Sequence, residues 1–152
     1  MDKLTRLARI IETYERVGGE LASKGISFGP TQGDGFWTAT RWDHLIPFLE
    51  WAVKRGIIYP SGPLVDAGSG TGEPSALFNA YGFGPVVNIE LDTRLVEAAK
   101  KTIESLVNCG ILTGDIRTVQ GDFTKNETYE AAGIAFRDAR VFYHGINPEP
   151  LE

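Results

Sequence analysis

Apolar positions along the chain follow two rhythms, helical up to about residue 60 and strand-like beyond it. Behind Asp2, which has the side chain of a helix cap, Leu4, Leu7, Ile11 and Tyr14 recur on one face. This spacing predicts a helix from Lys3 to Val17, ended by Gly18 and Gly19. A second helix is predicted from Asp43 to Arg55, with Trp42, Leu45, Ile46, Leu49 and Val53 turned inward. Pro47 inside it requires a start near Asp43 or a kink, because proline lacks the N–H that the helix interior needs. His44 stands on this helix beside apolar positions and reads as a structural or surface residue. Beyond residue 60 the apolar runs shorten, and Leu64–Ala67, Val86–Glu90, Arg117–Gln120 and Ala139–Tyr143 read as four strands. Helical stretches at Pro74–Tyr81, Thr93–Val107 and Glu127–Ala132 separate them. Strands alternating with helices predict an α/β fold, a parallel sheet with helices on both faces, preceded by N-terminal helices.

Between the two rhythms, residues 25–37 carry four glycines, a proline and three aromatic residues without periodicity. Two readings fit: an aromatic plug on the core, or a lid in which Phe28, Thr31 and Trp37 cover a bound ligand and build a substrate channel. At 152 residues and 42% apolar, the chain can bury one core but hardly two. The expectation is therefore a single domain over 1–152, with helices and lid loop in 1–60 and an α/β core in 61–152.

Charge and cysteine usage narrow the partners. Residues 1–60 hold eight basic and seven acidic residues, while residues 61–152 hold seven and thirteen, and the whole chain carries −5. That balance argues against nucleic acid as a partner, whose phosphates need a basic surface. An acidic rim instead favours a basic substrate such as a lysine-bearing protein. Cys109 is the only cysteine, so there is no internal disulfide and a cytoplasmic location is expected. No apolar run is long enough to span a bilayer.

The chemistry concentrates after the first strand, in Val65-Asp66-Ala67-Gly68-Ser69-Gly70-Thr71-Gly72. Alternate glycines let the backbone turn sharply and approach a ligand closely, and Pro74 suits the first turn of the helix that follows. A dinucleotide fingerprint, G-x-G-x-x-G, fits poorly. Counting from Gly68 its third position falls on Glu73, and from Gly70 on Ser75. Glu90, eighteen residues beyond Gly72, closes the second strand, where an acid can accept both hydroxyls of a ribose; Asp92, just before Thr93, reads as a helix cap. Gly121-Asp122-Phe123 follows the third strand. In an open α/β sheet the site lies beyond the carboxyl ends of the strands at the switch point, here between strands one and four. That places Tyr143, His144 and Asn147 at the reacting end.

Taken together, the D-x-G-x-G-x-G turn, Glu90, Gly121-Asp122-Phe123 and Val141-Phe142-Tyr143-His144-Gly145-Ile146-Asn147-Pro148-Glu149 resemble the motifs of class I, Rossmann-like methyltransferases that use S-adenosylmethionine. Within that class the chain is similar to the disruptor-of-telomeric-silencing-type lysine methyltransferases and their archaeal relatives, and Phe28-Gly29-Pro30-Thr31 resembles the loop that closes over the cofactor in the latter. The resemblance covers roughly residues 28–150. It implies that Asp66, Gly68 and Gly70 hold the methionine part of the cofactor, Glu90 its ribose and Asp122 with Phe123 its adenine, and that Ser69, Thr71, Gly72, Glu73, Leu91, Phe28, Thr31 and Trp37 also belong to the cofactor site. His144, Asn147 and Tyr143 would then orient an uncharged amine behind the methyl group, with a neutral histidine taking its proton. The chain departs from those enzymes in carrying His144-Gly145 where they have an asparagine pair and Glu73 where they have a glutamine.

The resemblance also implies a sheet that is incomplete after its fourth strand, since class I enzymes add three more strands and nine residues follow Tyr143. The fourth strand is then an edge prone to association, and two expectations stand: the chain is a fragment of a longer protein, or a partner or a second copy completes the sheet. Three functional readings remain open: a methyltransferase acting on a protein lysine, another amine or a small molecule; a cofactor-binding module without catalysis; and a nicotinamide-dependent oxidoreductase.

Overall fold

The computed structural model of the chain describes residues 1–26, 29–30, 36–37 and 39–145. Helix α1 spans Lys3–Ser23 and is capped by Asp2, whose carboxylate accepts the Thr5 amide. It runs through Gly18 and Gly19, which therefore do not end it. Its buried stripe is Leu7, Ile10, Tyr14, Val17 and Leu21, so Leu4 is exposed and Ile10 replaces Ile11 on the inner face. The last turns persist because Val17 and Leu21 pack with Leu95 and Trp37, a tertiary gain that outweighs a glycine penalty of about 1 kcal/mol each.

Strands β1 (Gly29–Pro30) and β2 (Phe36–Trp37) form a small antiparallel pair. Helix α2 (Trp42–Lys54) buries Leu45, Leu49 and Ala52, with Trp42, Ile46 and Val53 partly buried, and it contains Pro47. The α/β core then runs β3 (Leu64–Ala67), α3 (Glu73–Ala80), β4 (Val86–Glu90), α4 (Thr93–Asn108), β5 (Ile116–Gln120), α5 (Asn126–Ala132), a short 3₁₀ turn Phe136–Asp138, and β6 (Val141–His144). The fourth strand of the core starts two residues later than Ala139, because Ala139 closes the 3₁₀ turn and Arg140 and Val141 both donate to Pro63 O.

The sheet is parallel, in the order β5-β4-β3-β6. Leu64 and Val86 face α1, α2 and α3, whereas Val65, Ala67, Val87 and Ile89 face α5. Helices thus cover both faces, as the alternation of strands and helices predicts. Among the described residues β6 has a strand neighbour on one side only, and no helix is long and apolar enough to cross a membrane.

Candidate functional site

The turn between β3 and α3 is fastened to the neighbouring strand. Gly68 N and Ser69 N both donate to Ile89 O, at 2.9 and 3.0 Å, and Gly72 N donates to Ser69 O at 2.8 Å. Two positions admit only glycine. Gly70 (φ +55°) would place a Cβ 2.8 Å from Trp37 Cδ1, and Gly72 (φ +83°) would place one 2.9 Å from Asn88 Nδ2. From α1, the buried Tyr14 hydroxyl donates to Gly72 O at 3.0 Å.

Three carboxylates surround this turn. Glu90 accepts Gly70 N at 2.8 Å on one oxygen and Leu91 N and Asp92 N at 2.8 and 2.9 Å on the other. Its first task is thus to brace the turn, and Leu91 beside it is exposed. Glu73, at the first position of α3, is buried and accepts Thr40 N at 2.7 Å and the Thr71 hydroxyl at 3.3 Å. Asp66 is buried and accepts the Ser75 hydroxyl at 2.7 Å. Burial raises its pKa to about 7 against the opposing Ser75 hydrogen bonds, and the charges of Glu90 and Glu73 push the same way as burial. Among the described residues none of the three forms an ion pair. Ser69 Oγ is buried without a hydrogen-bond partner, a polar atom left over in the wall of the turn.

Asp92 caps α4 by accepting Arg94 N at 2.9 Å, and it also holds the Arg94 guanidinium, in agreement with a capping role. Asp122 accepts the hydroxyl and the amide of Thr124, which together hold its carboxyl below the ordinary range. Phe123 lies against the His144 ring, centroids 5.0 Å apart. His144 Nδ1 sits 2.7 Å from Ala67 O. A carbonyl can only accept, so Nδ1 carries the proton and Nε2 keeps its lone pair in the neutral ring. Tyr143 points to the opposite face, where its ring meets Phe78 at 5.3 Å, and burial, helped by the Asp66 charge, raises its pKa.

The structure therefore gathers Asp66, Gly68, Ser69, Gly70, Thr71, Gly72, Glu73 and Glu90 in one place, with Phe123 and His144 adjoining Gly68. Tyr143 and His144 do not converge, because consecutive strand residues alternate faces. Trp37 is buried against Val17, Leu21 and Leu95, as a plug on the core would be, and its ring also lies over Gly70. Phe28, Thr31 and Asn147 lie outside the described residues. Sequence reasoning missed Tyr14, read there only as a core residue, and the open depression of about 220 Å³ lined by Thr40, Arg41, His44, Leu45, Phe48 and Tyr143. Its signal in the sequence is Arg41, His44 and Phe48 at spacings of three and four, which set two nitrogenous side chains and an aromatic ring on one side of α2.

Comparison with solved structures finds this fold in protein-L-isoaspartate O-methyltransferase, with 21% identity and a TM-score of 0.54 over 78% of this chain and 33% of that one. Weaker likenesses are the PH0226 protein of Pyrococcus horikoshii OT3 (25% identity, TM-score 0.44, 56% and 34% covered) and the glycopeptide N-methyltransferase MtfA complexed with S-adenosyl-L-homocysteine (26%, 0.42, 51% and 30%). The chain spans about a third of the length of these structures. No family model and no curated protein matches the sequence. The architecture is thus the Rossmann-like fold of class I methyltransferases.

Proposed function

We propose that the chain binds S-adenosylmethionine at the β3–α3 turn and serves methyl transfer. The observation that carries this reading is the charge of the turn. A dinucleotide would set its diphosphate on the N-terminus of α3, where the buried Glu73 carboxylate stands, with Glu90 and Asp66 close behind. A cofactor carrying a sulfonium and an ammonium meets the same three acids favourably. The residues present fit it: Ser69 Oγ is an uncommitted polar atom among the described residues, and Asp66 and Glu73 form an acidic wall for the ammonium. Glu90 keeps acceptor capacity for ribose beyond its three backbone bonds, and Asp122 Oδ2, with the Phe123 ring, suits the adenine.

The acceptor reading is an amine, either a protein lysine or a small molecule. Bound there, the cofactor supplies an electrophilic methyl: the acceptor lone pair forms the new bond to carbon as the sulfur–carbon pair returns to sulfur. The chain's part is to orient that acceptor in line and receive its proton. His144 Nε2 is the lone-pair nitrogen available for the proton, because Ala67 O fixes the tautomer. Asn147 would help orient the acceptor, while Tyr143 lines the depression on the other face. A further strand would pair with β6, whose outer side has no strand neighbour among the described residues.

Calorimetric titration with S-adenosylhomocysteine, against a reduced nicotinamide dinucleotide, tests the reading. Binding of the former alone is the expected result. Selective binding of the dinucleotide would overturn it, and cofactor binding without transfer to any acceptor would mark a binding module.

A further inference from the structure

Between the start of α2 and β6 lies the depression of about 220 Å³, whose lining mixes apolar and nitrogen- or oxygen-bearing side chains. Leu45 and Phe48 supply an apolar wall, while Arg41, His44, Thr40 and Tyr143 bring a guanidinium, an imidazole and two hydroxyls. It is joined to both ends of the glycine turn. Thr40 N is bonded to Glu73, the residue after the turn, and Tyr143 lies beside Asp66, just before it, in the sheet register.

The guanidinium is held in place. Arg41 Nε and Nη2 donate to the two Asp43 oxygens at 3.0 and 2.8 Å, and Nη2 lies 3.4 Å from His44 Nε2, whereas Nη1 has no hydrogen-bond partner among the described residues. No side chain caps the start of α2. A carboxylate entering the depression would find the free edge of an already oriented guanidinium, an imidazole and an uncapped helix start. Among the residues that line it none is acidic, and Asp43 beside it is held by Arg41. The volume lies below the roughly 300 Å³ at which pockets for drug-sized ligands begin, so the group that it can enclose is small.

We infer that this depression is a further binding site and that it takes a small molecule of about amino-acid size, with an apolar or aromatic body on Leu45 and Phe48 and a carboxylate on Arg41. The inference does not depend on the cofactor reading, and the depression lies on the face of the sheet opposite His144, apart from the proton-accepting nitrogen.

The test uses the full chain labelled with ¹⁵N, with benzoate and its neutral analogue benzamide as probes, followed by NMR. Benzoate is expected to shift the resonances of Thr40, His44 and Tyr143 and to bind roughly tenfold or more tightly than benzamide, the scale of a charge-assisted hydrogen bond. Arg41→Gln is expected to erase that preference. Asp43→Asn, which frees the fork while leaving its charge, is expected to bind benzoate at least as well. S-adenosylhomocysteine affinity, measured in parallel, should stay within about twofold in both variants, which also reports that they are folded. Equal binding of the two probes, shifts elsewhere on the surface, or indifference to Arg41→Gln would overturn the inference, as would a lysine peptide that displaces benzoate from Arg41→Gln and the parent chain alike. Failure of S-adenosylhomocysteine to bind, with benzoate behaving as expected, would sink the cofactor reading and leave the carboxylate site standing.

Discussion

The Glu90 carboxylate accepts the Gly70 amide at 2.8 Å, so the last residue of β4 holds the middle of the turn that follows β3. Glu90 therefore shapes the site as well as facing it. Glu90→Gln replaces one acceptor oxygen by a donor that opposes either Gly70 N or the Leu91 and Asp92 amides. Cofactor affinity is expected to fall by about 1.5–3 kcal/mol, with about 1–3 kcal/mol lost from stability. Calorimetry with S-adenosylhomocysteine and urea unfolding check the two together. Unchanged stability with weakened binding would make Glu90 a ligand contact alone.

Gly70→Ala places a methyl against Trp37 and forces a positive φ on an L-residue. A loss of about 1–3 kcal/mol is expected, from strain and overpacking. In a double-mutant cycle by urea unfolding, Trp37→Ala should recover the overpacking part and leave the backbone part. Full additivity would show that the ring is not what limits the turn.

Asp66 sets a pH dependence whose sign is opposite to that of a salt-bridged acid. Its folded pKa, about 7, lies above its unfolded value of 3.8, so between the two the folded state holds the extra proton. The stabilisation is complete below pH 4 and is lost as pH rises toward 7, by up to about 4 kcal/mol. Asp66→Asn should flatten this component and exceed the parent chain in stability at pH 8. Urea unfolding at pH 5 and pH 8 reads the difference, and a parent chain whose Asp66 component stabilises as pH rises would contradict the burial argument.

His144→Ala removes the Nε2 proton acceptor while leaving the turn and its carboxylates in place. Transfer is expected to fall by about 10²–10⁴-fold with cofactor affinity reduced less than tenfold. Comparable losses in both would assign His144 to supporting Phe123, which its ring touches.

Much of the core was legible in the sequence. Leu64–Ala67 and Val86–Glu90 match the structure to the residue, because short apolar runs bounded by glycine and proline leave little freedom of register. The glycine turn and the cap at Asp92 were legible for local reasons. The start of helix α1 was legible too, but its end was not, since its last turns rest on contacts with Leu95 and Trp37 that local propensity cannot report. Nor was the bond from Glu90 to Gly70, which depends on two strands lying side by side. The depression at Arg41 and His44 was hidden because its remaining wall, Tyr143, comes from the other end of the chain.

The hydrogen bond from Tyr14 to Gly72 O joins residues 58 apart in the chain. Closing so long a segment has an entropic cost that only the packing of α1 on α3 and α4 can offset. Turn closure by α1 is thus a long-range event, and the kinetics of ligand competence should follow the docking of that helix and lag behind formation of the strands. In a nascent chain the glycine sequence is already present while its shape is still waiting for an element synthesised earlier to settle onto it.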